Sequence, residues 1–457
     1  MNIEFKYFIE DNFDFLVKLY NRYIRYSLRK STPIEYYASP YMNLTGYPSN
    51  KFIIFCMKYY NKKYHKSLNI KIDKDRYMIK LYLYFKMLFL FLFSFLFFTK
   101  DIKKNSIIIH GFHNNDNFEF SPYKTIKSPP LENFKDKNIY HDINLSFVSL
   151  KSLLKYKQNN IIFSLRFLSF LELTKLHYIA FKILSQSKSI NKFNISYVDI
   201  LYTLVKGKSI SNLINYLDTE SIYLNMWENR GHHLITDFLI KDSSKSIFLD
   251  LGIMFRLAPE YMMLNFPRHT LKSKFIFMSR FNYDLVKNNL GNVNYKLFKN
   301  YRIDYKNYNI QGKKNSILLI SPLSISISKK LYQLILDNED TSLNIKIRLH
   351  PYLTKSSFNI KYIEQRDIYQ SLEDYDTIVY AGATTAAIEL YFQGKKIYKF
   401  ISDEFVDIDP LVDNNLVDKI KSLDEIQFNN KYFTQEEKEY YLGCNNKSLK
   451  EILEDLK

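Results

Sequence analysis

Cysteine is nearly missing from this chain: among 457 residues only Cys56 and Cys444 carry thiols. They stand far apart with no second cysteine near either, which excludes a disulfide framework and a thiolate zinc site. A reducing compartment suits such a sequence. Residues 1–18 alternate charge with aromatics and lack a cationic start followed by an apolar run. No signal peptide is therefore expected, and the cytoplasm is the expected location. No fixed-period repeat is present, which excludes solenoids and propellers. No Asp-x-Asp pair stands in a strand-end context, so no metal site and no cofactor are expected. Tryptophan is reduced to Trp227.

What is present describes a folded protein. Apolar residues make up 46% and charged residues 25%, far from a disordered profile. The length exceeds one ordinary core and suits two domains of about 150–200 residues. Lys and Arg number 65 against 47 Asp and Glu, a formal charge of +18. That suits an anionic partner such as nucleotide phosphates, nucleic acid or an acidic lipid surface. A Lys surplus spread along a Lys-, Asn-, Ile-, Tyr- and Phe-rich chain is the competing account. Basic residues interleave with aromatics in no recognised RNA- or DNA-binding motif, so nucleic acid is not an expected partner.

Residues 81–98 (LYLYFKMLFLFLFSFLFF) are almost continuously apolar, broken by Lys86 and Ser94 and flanked by Lys80, Lys100, Lys103 and Lys104. Three readings compete: a buried or surface-docking helix, a membrane span just short of the ~20 residues a bilayer needs, and a buried strand pair. Lys86 and the closeness of the next strand favour the helix. Its basic flanks would let it rest on an anionic leaflet, making the protein peripheral on the inner face of the cell membrane.

Residues 1–104 read as a helical, aromatic-rich extension. From residue 105 short β-branched runs appear: SIIIHGF, then SIYLNM at 221–226, SIFLD at 246–250 and KFIFM at 274–278. They define a first α/β domain over 105–281. Residues 282–315, polar and rich in Asn and Tyr, read as the interdomain linker. The second domain, 316–457, alternates strands at 316–320, 344–349, 377–380 and 396–400 with helices at 326–336, 367–373 and 384–393. That alternation implies a parallel sheet with helices on both faces, so the fold class is α/β with two Rossmann-like domains.

Ligands of such sheets bind beyond the carboxyl ends of the strands. The strand IKIRL ends in Arg348, His350 and Pro351, and TIVY runs into Gly382, Thr384 and Thr385 where a helix begins. Gly382 permits a sharp turn, and the two threonines stand beside unpaired helix amides, a ready anion site. Taken singly, Thr384 could merely cap its helix and His350 could merely end a strand. Their convergence on what reads as neighbouring strand ends of one sheet favours a phosphate site.

The run from residue 317 to 400, with ILLISPL, IRLHP and IVYAGATTAAIELYFQGKKIYKF, resembles the C-terminal domain of bacterial surface-carbohydrate transferases of the GT-B type. Those include the sialyltransferase and polysialyltransferase families, the capsule Kdo transferases and the CDP-glycerol glycerophosphotransferases. The resemblance implies two Rossmann-like domains facing a cleft. It implies a nucleotide-sugar donor, a CMP-sugar of sialic-acid or Kdo type, gripped by His350-Pro351 and Thr384-Thr385, with Glu389 one helical turn further on. It implies a polysaccharide or glycolipid acceptor, as in capsule or lipopolysaccharide synthesis. MWENRGHHLITDFL is similar to the Glu-containing stretch before the linker in these transferases. Asp250, Leu251 and Gly252 stand where the His-Gly pair of the glycerophosphotransferases is expected, which makes the polymer-phosphotransferase version the weaker one.

An inverting, metal-independent transfer needs a base for the acceptor hydroxyl and positive groups for the leaving phosphate. Arg348, His350, Thr384 and Thr385 fit the second need, and Glu228 is the candidate base. A Glu at a helix start is also ordinary helix-dipole chemistry, and Trp227 suits a core as well as a sugar. A non-catalytic, membrane-docked nucleotide-sugar scaffold is the alternative from another class.

Overall fold

The computed structural model describes residues 76–97, 101–110, 138–142, 161–186, 197–226, 236–237, 239–249, 272–277, 279–284, 294–298, 312–322, 325–350, 353, 358–366, 368, 370–382, 385–392, 394–401, 411, 416–426, 434–443 and 446–455. They form a mixed α/β protein built on two parallel sheets.

The first sheet contains β1 (Ser106–His110), β2 (Asn138–Asp142), β3 (Ile161–Ile162), β4 (Ile222–Met226), β5 (Ser246–Leu249), β6 (Lys274–Phe277) and β7 (Tyr295–Leu297), in the order β3-β2-β1-β4-β5-β6-β7. Every pairing is parallel. Strands buried on both sides need continuous apolar runs, and SIIIH and SIFL supply them, each residue of both being buried. Helix α2 (Phe170–Gln186) and helix α3 (Tyr197–Tyr216) follow β3. Ile210, Leu213 and Ile214 of α3 pack with Ile108, Tyr140 and Tyr223 on one face of the sheet.

The second sheet contains β8 (Ser316–Ile320), β9 (Asn344–Arg348), β10 (Thr377–Tyr380), β11 (Lys396–Phe400) and β12 (Asp418–Ile420), in the order β12-β11-β10-β8-β9 and again all parallel. Helix α4 (Ile325–Leu336) covers the face bearing Leu319, Ile347 and Val379. Helix α5 (Thr385–Phe392) and helix α6 (Gln435–Leu442) cover the face bearing Leu318, Ile378 and Ile397. Alternate residues of each strand thus feed two separate cores.

Three differences from the sequence reading have physical causes. Residues 282–315 are not wholly linker, because β7 lies inside them and pairs with β6. A three-residue edge strand reading Tyr-Lys-Leu, only half-buried, carries no β-branched signal. Residues 316–457 are not one unit either. Helix α7 (Leu449–Asp455) returns to the first sheet, where Leu449, Ile452 and Leu453 pack on Ile107, Leu224 and Ile247. Their i, i+3, i+4 spacing gives one apolar stripe, roughly 1.5–3 kcal/mol per buried side chain. In the other direction Phe281 joins the core of the second sheet, its ring centroid 5.0 Å from that of Tyr441 with the two planes tilted by 51°. Lastly β9 and β10 are not neighbours, since β8 lies between them.

Residues 76–97 form helix α1 (Arg76–Phe97), which overturns the strand-pair reading. Met87, Leu90 and Phe91 are buried, while Tyr82, Phe85, Phe89, Leu92 and Leu96 are exposed along the opposite stripe. Phe170 of α2 meets the rings of Phe91 and Phe95, and Phe170, Leu171, Tyr178 and Phe181 are exposed as well. Among the described residues no helix is long and apolar enough to cross a membrane.

Candidate functional site

Strand order decides where ligands can enter. In a doubly wound sheet the crevice opens at the carboxyl ends of the two strands between which the winding reverses. In the second sheet those strands are β8 and β10, and in the first they are β1 and β4.

At the β8/β10 crevice the chain turns sharply. Gly382 follows β10 with φ of +62°, the left-handed region. A Cβ built there would lie 2.7 Å from the Cβ of Pro322, which follows β8. No other residue type fits without strain. Lys399, buried in β11, donates from Nζ to the Gly382 carbonyl, and its ammonium stands 4.6 Å from the Tyr380 ring centroid. A carbonyl turned onto a buried cation does not face an incoming anion. Helix α5 begins at Thr385, so its N-terminal end opens at this same place. Unpaired amides at such an end attract negative charge.

His350 stands beyond β9, half-buried, with its backbone N–H donated to the hydroxyl of Ser321 at 3.0 Å. Ser321 in turn donates its N–H to the Arg348 carbonyl at 3.0 Å. These two bonds lock the ends of β8 and β9 together. Because β8 intervenes, His350 and Gly382 flank the crevice about 10 Å apart, two strand spacings. A nucleotide phosphate bridging both is compatible with that span.

The remaining predicted donor residues fare unequally. Arg348 donates from Nη1 to the Arg366 carbonyl, which ties it into a structural network rather than leaving it committed to a ligand. The backbones of Thr385 and Glu389 are helical. Pro351, Thr384 and Glu228 lie outside the described residues, as do Trp227 and Asp250–Gly252.

The first sheet carries a polar cluster assembled by strand register. The parallel register sets His110 beside Asp142 on one side and beside Asn225 on the other. Period-two alternation puts Tyr223 on the same face as Asn225. Asp142 is wholly buried and accepts from three groups: His110 Nδ1 at 3.1 Å, the Tyr223 hydroxyl at 2.7 Å and the Ser164 N–H at 3.0 Å. Burial alone would raise its pKa, yet the hydrogen bond and charge of His110, with the bonds from Tyr223 and Ser164, bring it below the ordinary value. Tyr223 is pushed well up, first by burial and then by that carboxylate. An ionised carboxylate only accepts, so Nδ1 of His110 carries a proton in either charge state, and in the neutral ring Nε2 is the basic nitrogen.

Asn225 has neither amide atom hydrogen-bonded among the described residues, although it is 1% exposed. Leaving such an amide unsatisfied costs about 1–3 kcal/mol. The sequence signals existed, a polar residue closing each of the runs SIIIH and NIYHD, but only the register joins them. Lys399 was missed for a related reason, being an inward-facing cation in a strand read as KIYKF. Among the described residues no group of three or more His, Cys, Asp and Glu stands together as a metal site.

No protein-family model matches the chain, and no curated protein matches it. Among solved structures, the glycotransferase of kitacinnamycin is similar over 78% of this chain and 94% of that one, at 10% identity and a TM-score of 0.35. A likeness of that degree carries no statement about activity.

Proposed function

We propose that the protein is a GT-B glycosyltransferase that moves a sugar from a nucleotide-activated donor, a CMP-sugar above all, to a polysaccharide or glycolipid hydroxyl, with inversion and without a metal. One observation carries this: the second-sheet crevice combines the left-handed Gly382 turn, the Lys399 cation behind it, the start of α5 and the pinned backbone of His350. Oriented amides with cationic support are what a departing nucleotide phosphate needs.

At the carboxyl ends of β1 and β2 we assign His110 as the base, held by Asp142; Glu228 is the other candidate. The acceptor hydroxyl gives its proton to Nε2 and its oxygen bonds the anomeric carbon. In the same displacement the bond from that carbon to the donor phosphate oxygen breaks, the electron pair staying on that oxygen. Asp142 balances the imidazolium that results.

His350→Ala is expected to lower kcat/KM for transfer by about 100-fold or more while leaving the unfolding midpoint nearly unchanged, since the side chain is only half-buried. A transfer assay on the variant beside its thermal melt checks this, and wild-type turnover in His350→Ala contradicts the donor-site assignment.

A second reading keeps a specific point in its favour. His110 is followed by Gly111, so a His-Gly pair of the glycerophosphotransferase kind does occur in the first domain, after β1 rather than near Asp250. CDP-glycerol therefore belongs beside the CMP-, CDP- and UDP-sugars in any donor panel.

The membrane partner is part of the same reading. Helix α1 has no acidic residue, its exposed stripe is aromatic and leucine-rich, and exposed Lys175 and Lys182 interleave with Tyr178 and Phe181 on α2. Apolar side chains among lysines suit an in-plane seat on an anionic bilayer. The double variant Phe85→Ser, Leu92→Ser is expected to sediment at least several-fold less with phosphatidylglycerol vesicles while melting like the wild type. Equal sedimentation of both proteins removes α1 as the contact.

A further inference from the structure

We propose that Asn225 is the recognition residue of a second ligand site, at the switch point of the first sheet, for a hydroxyl group that both donates to and accepts from its amide. Three observations meet there. Asn225 lies near the carboxyl end of β4, directly across from His110 at the end of β1, and these are the two strands between which the winding of the first sheet reverses. Its amide is buried with neither nitrogen nor oxygen hydrogen-bonded among the described residues. Its polar neighbours bond to one another instead: Asp142 accepts from His110, Ser164 and Tyr223, and none of them reaches the Asn225 amide.

A primary amide offers two donors and a two-lone-pair acceptor in one plane. Its best single partner is a group that gives one hydrogen bond and takes another, which a sugar hydroxyl or a vicinal pair of hydroxyls does. A carboxylate only accepts and an ammonium only donates, so each satisfies half of the amide. Tyr223, two residues earlier on the same face, belongs to the apolar core under α3, where a buried strand position ordinarily holds an aliphatic residue. An unsatisfied amide there makes sense as the empty half of a ligand contact. In naming the hydroxyl as that of a carbohydrate acceptor, the inference rests on the glycosyl-transfer reading; Asn225 then orients the hydroxyl whose proton His110 receives.

The test uses the full chain and the near-isosteric variant Asn225→Leu, with two readouts that need no donor. The first is thermal unfolding. A ligand-directed amide is a burden on the empty fold, so the variant is expected to melt about 2–4 °C higher. A lower melting temperature shows that the amide is structurally satisfied and overturns the proposal. The second is saturation-transfer NMR with glycerol and a panel of methyl glycosides. At least one is expected to give a signal with the wild type that is lost in Asn225→Leu. Signals equal in the two proteins, or none in either, overturn the hydroxylated ligand. Nucleotide-sugar binding, measured separately, is expected to be the same in both proteins. If no nucleotide sugar or CDP-glycerol binds while both Asn225 readouts succeed, the transfer reading fails and the hydroxyl site stands.

Discussion

Glu364→Ala is expected to remove about 3 kcal/mol of folding stability. Glu364 is nearly buried and its carboxylate takes four hydrogen bonds: from the N–H of Arg366 at 3.0 Å, from Nε and Nη2 of the same residue at 3.0 and 2.8 Å, and from the Tyr375 hydroxyl at 2.7 Å. Arg366 continues to Asp374 at 2.6 Å, and Lys313 reaches Asp374 at 2.5 Å. The knot joins the chain leaving β9 to the chain entering β10, and so fixes the spacing of the strands whose ends flank the proposed donor crevice. Arg366 is half exposed and can turn to water when its partner is lost, but the Tyr375 hydroxyl is left buried without its acceptor. That places the loss at the lower end of the usual range of about 3–5 kcal/mol for breaking a buried pair.

The same carboxylate gives the protein a defined acid limb. The Arg366 hydrogen bonds, against the effect of burial and with help from Tyr375, hold its pKa down to about 2 from the ordinary 4.5. The unfolded chain therefore binds the proton first. Its contribution is complete above pH 4.5 and is lost as pH falls toward 2. Denaturant titrations of wild type and Glu364→Gln should differ by a constant amount at neutral pH and converge through that window. A difference independent of pH would contradict the assignment.

Gly382→Ala is expected to weaken nucleotide-sugar binding by about 100-fold, a loss typical of a misplacement near 1 Å. The new methyl group meets Pro322 at 2.7 Å in a backbone conformation that side chains rarely adopt. Relief requires the β8 or β10 end to move, and with it the carbonyl held by Lys399. The methyl group meets the core only at ordinary van der Waals distance, 3.8 Å from Cδ1 of Ile327, so global stability should fall by about 1–2 kcal/mol, the cost of the left-handed backbone. Isothermal titration beside a melt separates the two effects.

The elements that were legible in the sequence are those whose interiors demand it. Strands β1, β4, β5, β8 and β10 are β-branched or aromatic runs buried on both faces, β6 and β11 are buried but for end residues, and β9 alternates buried Ile345 and Ile347 with the more exposed Asn344, Lys346 and Arg348. Strands β7 and β12 span three residues each and are largely solvent-facing, so periodicity has nothing to act on. The stripe Leu449, Ile452, Leu453 announces a helix with one apolar face but cannot say which sheet it covers. The crevice proposed to hold the donor was readable as a strand-end site because Gly382 and His350 each stand two residues past a strand. Its width was not, because strand order is a long-range property. The cluster of His110, Asp142 and Asn225 joins positions dozens of residues apart through register alone, and no local pattern announces it.

The most direct test of a phosphate-binding crevice between β8 and β10 is the melting temperature of the wild-type chain against rising concentrations of CMP-, CDP- and UDP-sugars and CDP-glycerol, with Gly382→Ala alongside. A ligand that binds only the native state raises the midpoint with the logarithm of its concentration over its dissociation constant. The account predicts such a rise for at least one nucleotide, with the curve of Gly382→Ala displaced to about 100-fold higher ligand. No rise with any of them, or an identical rise in both proteins, would contradict it.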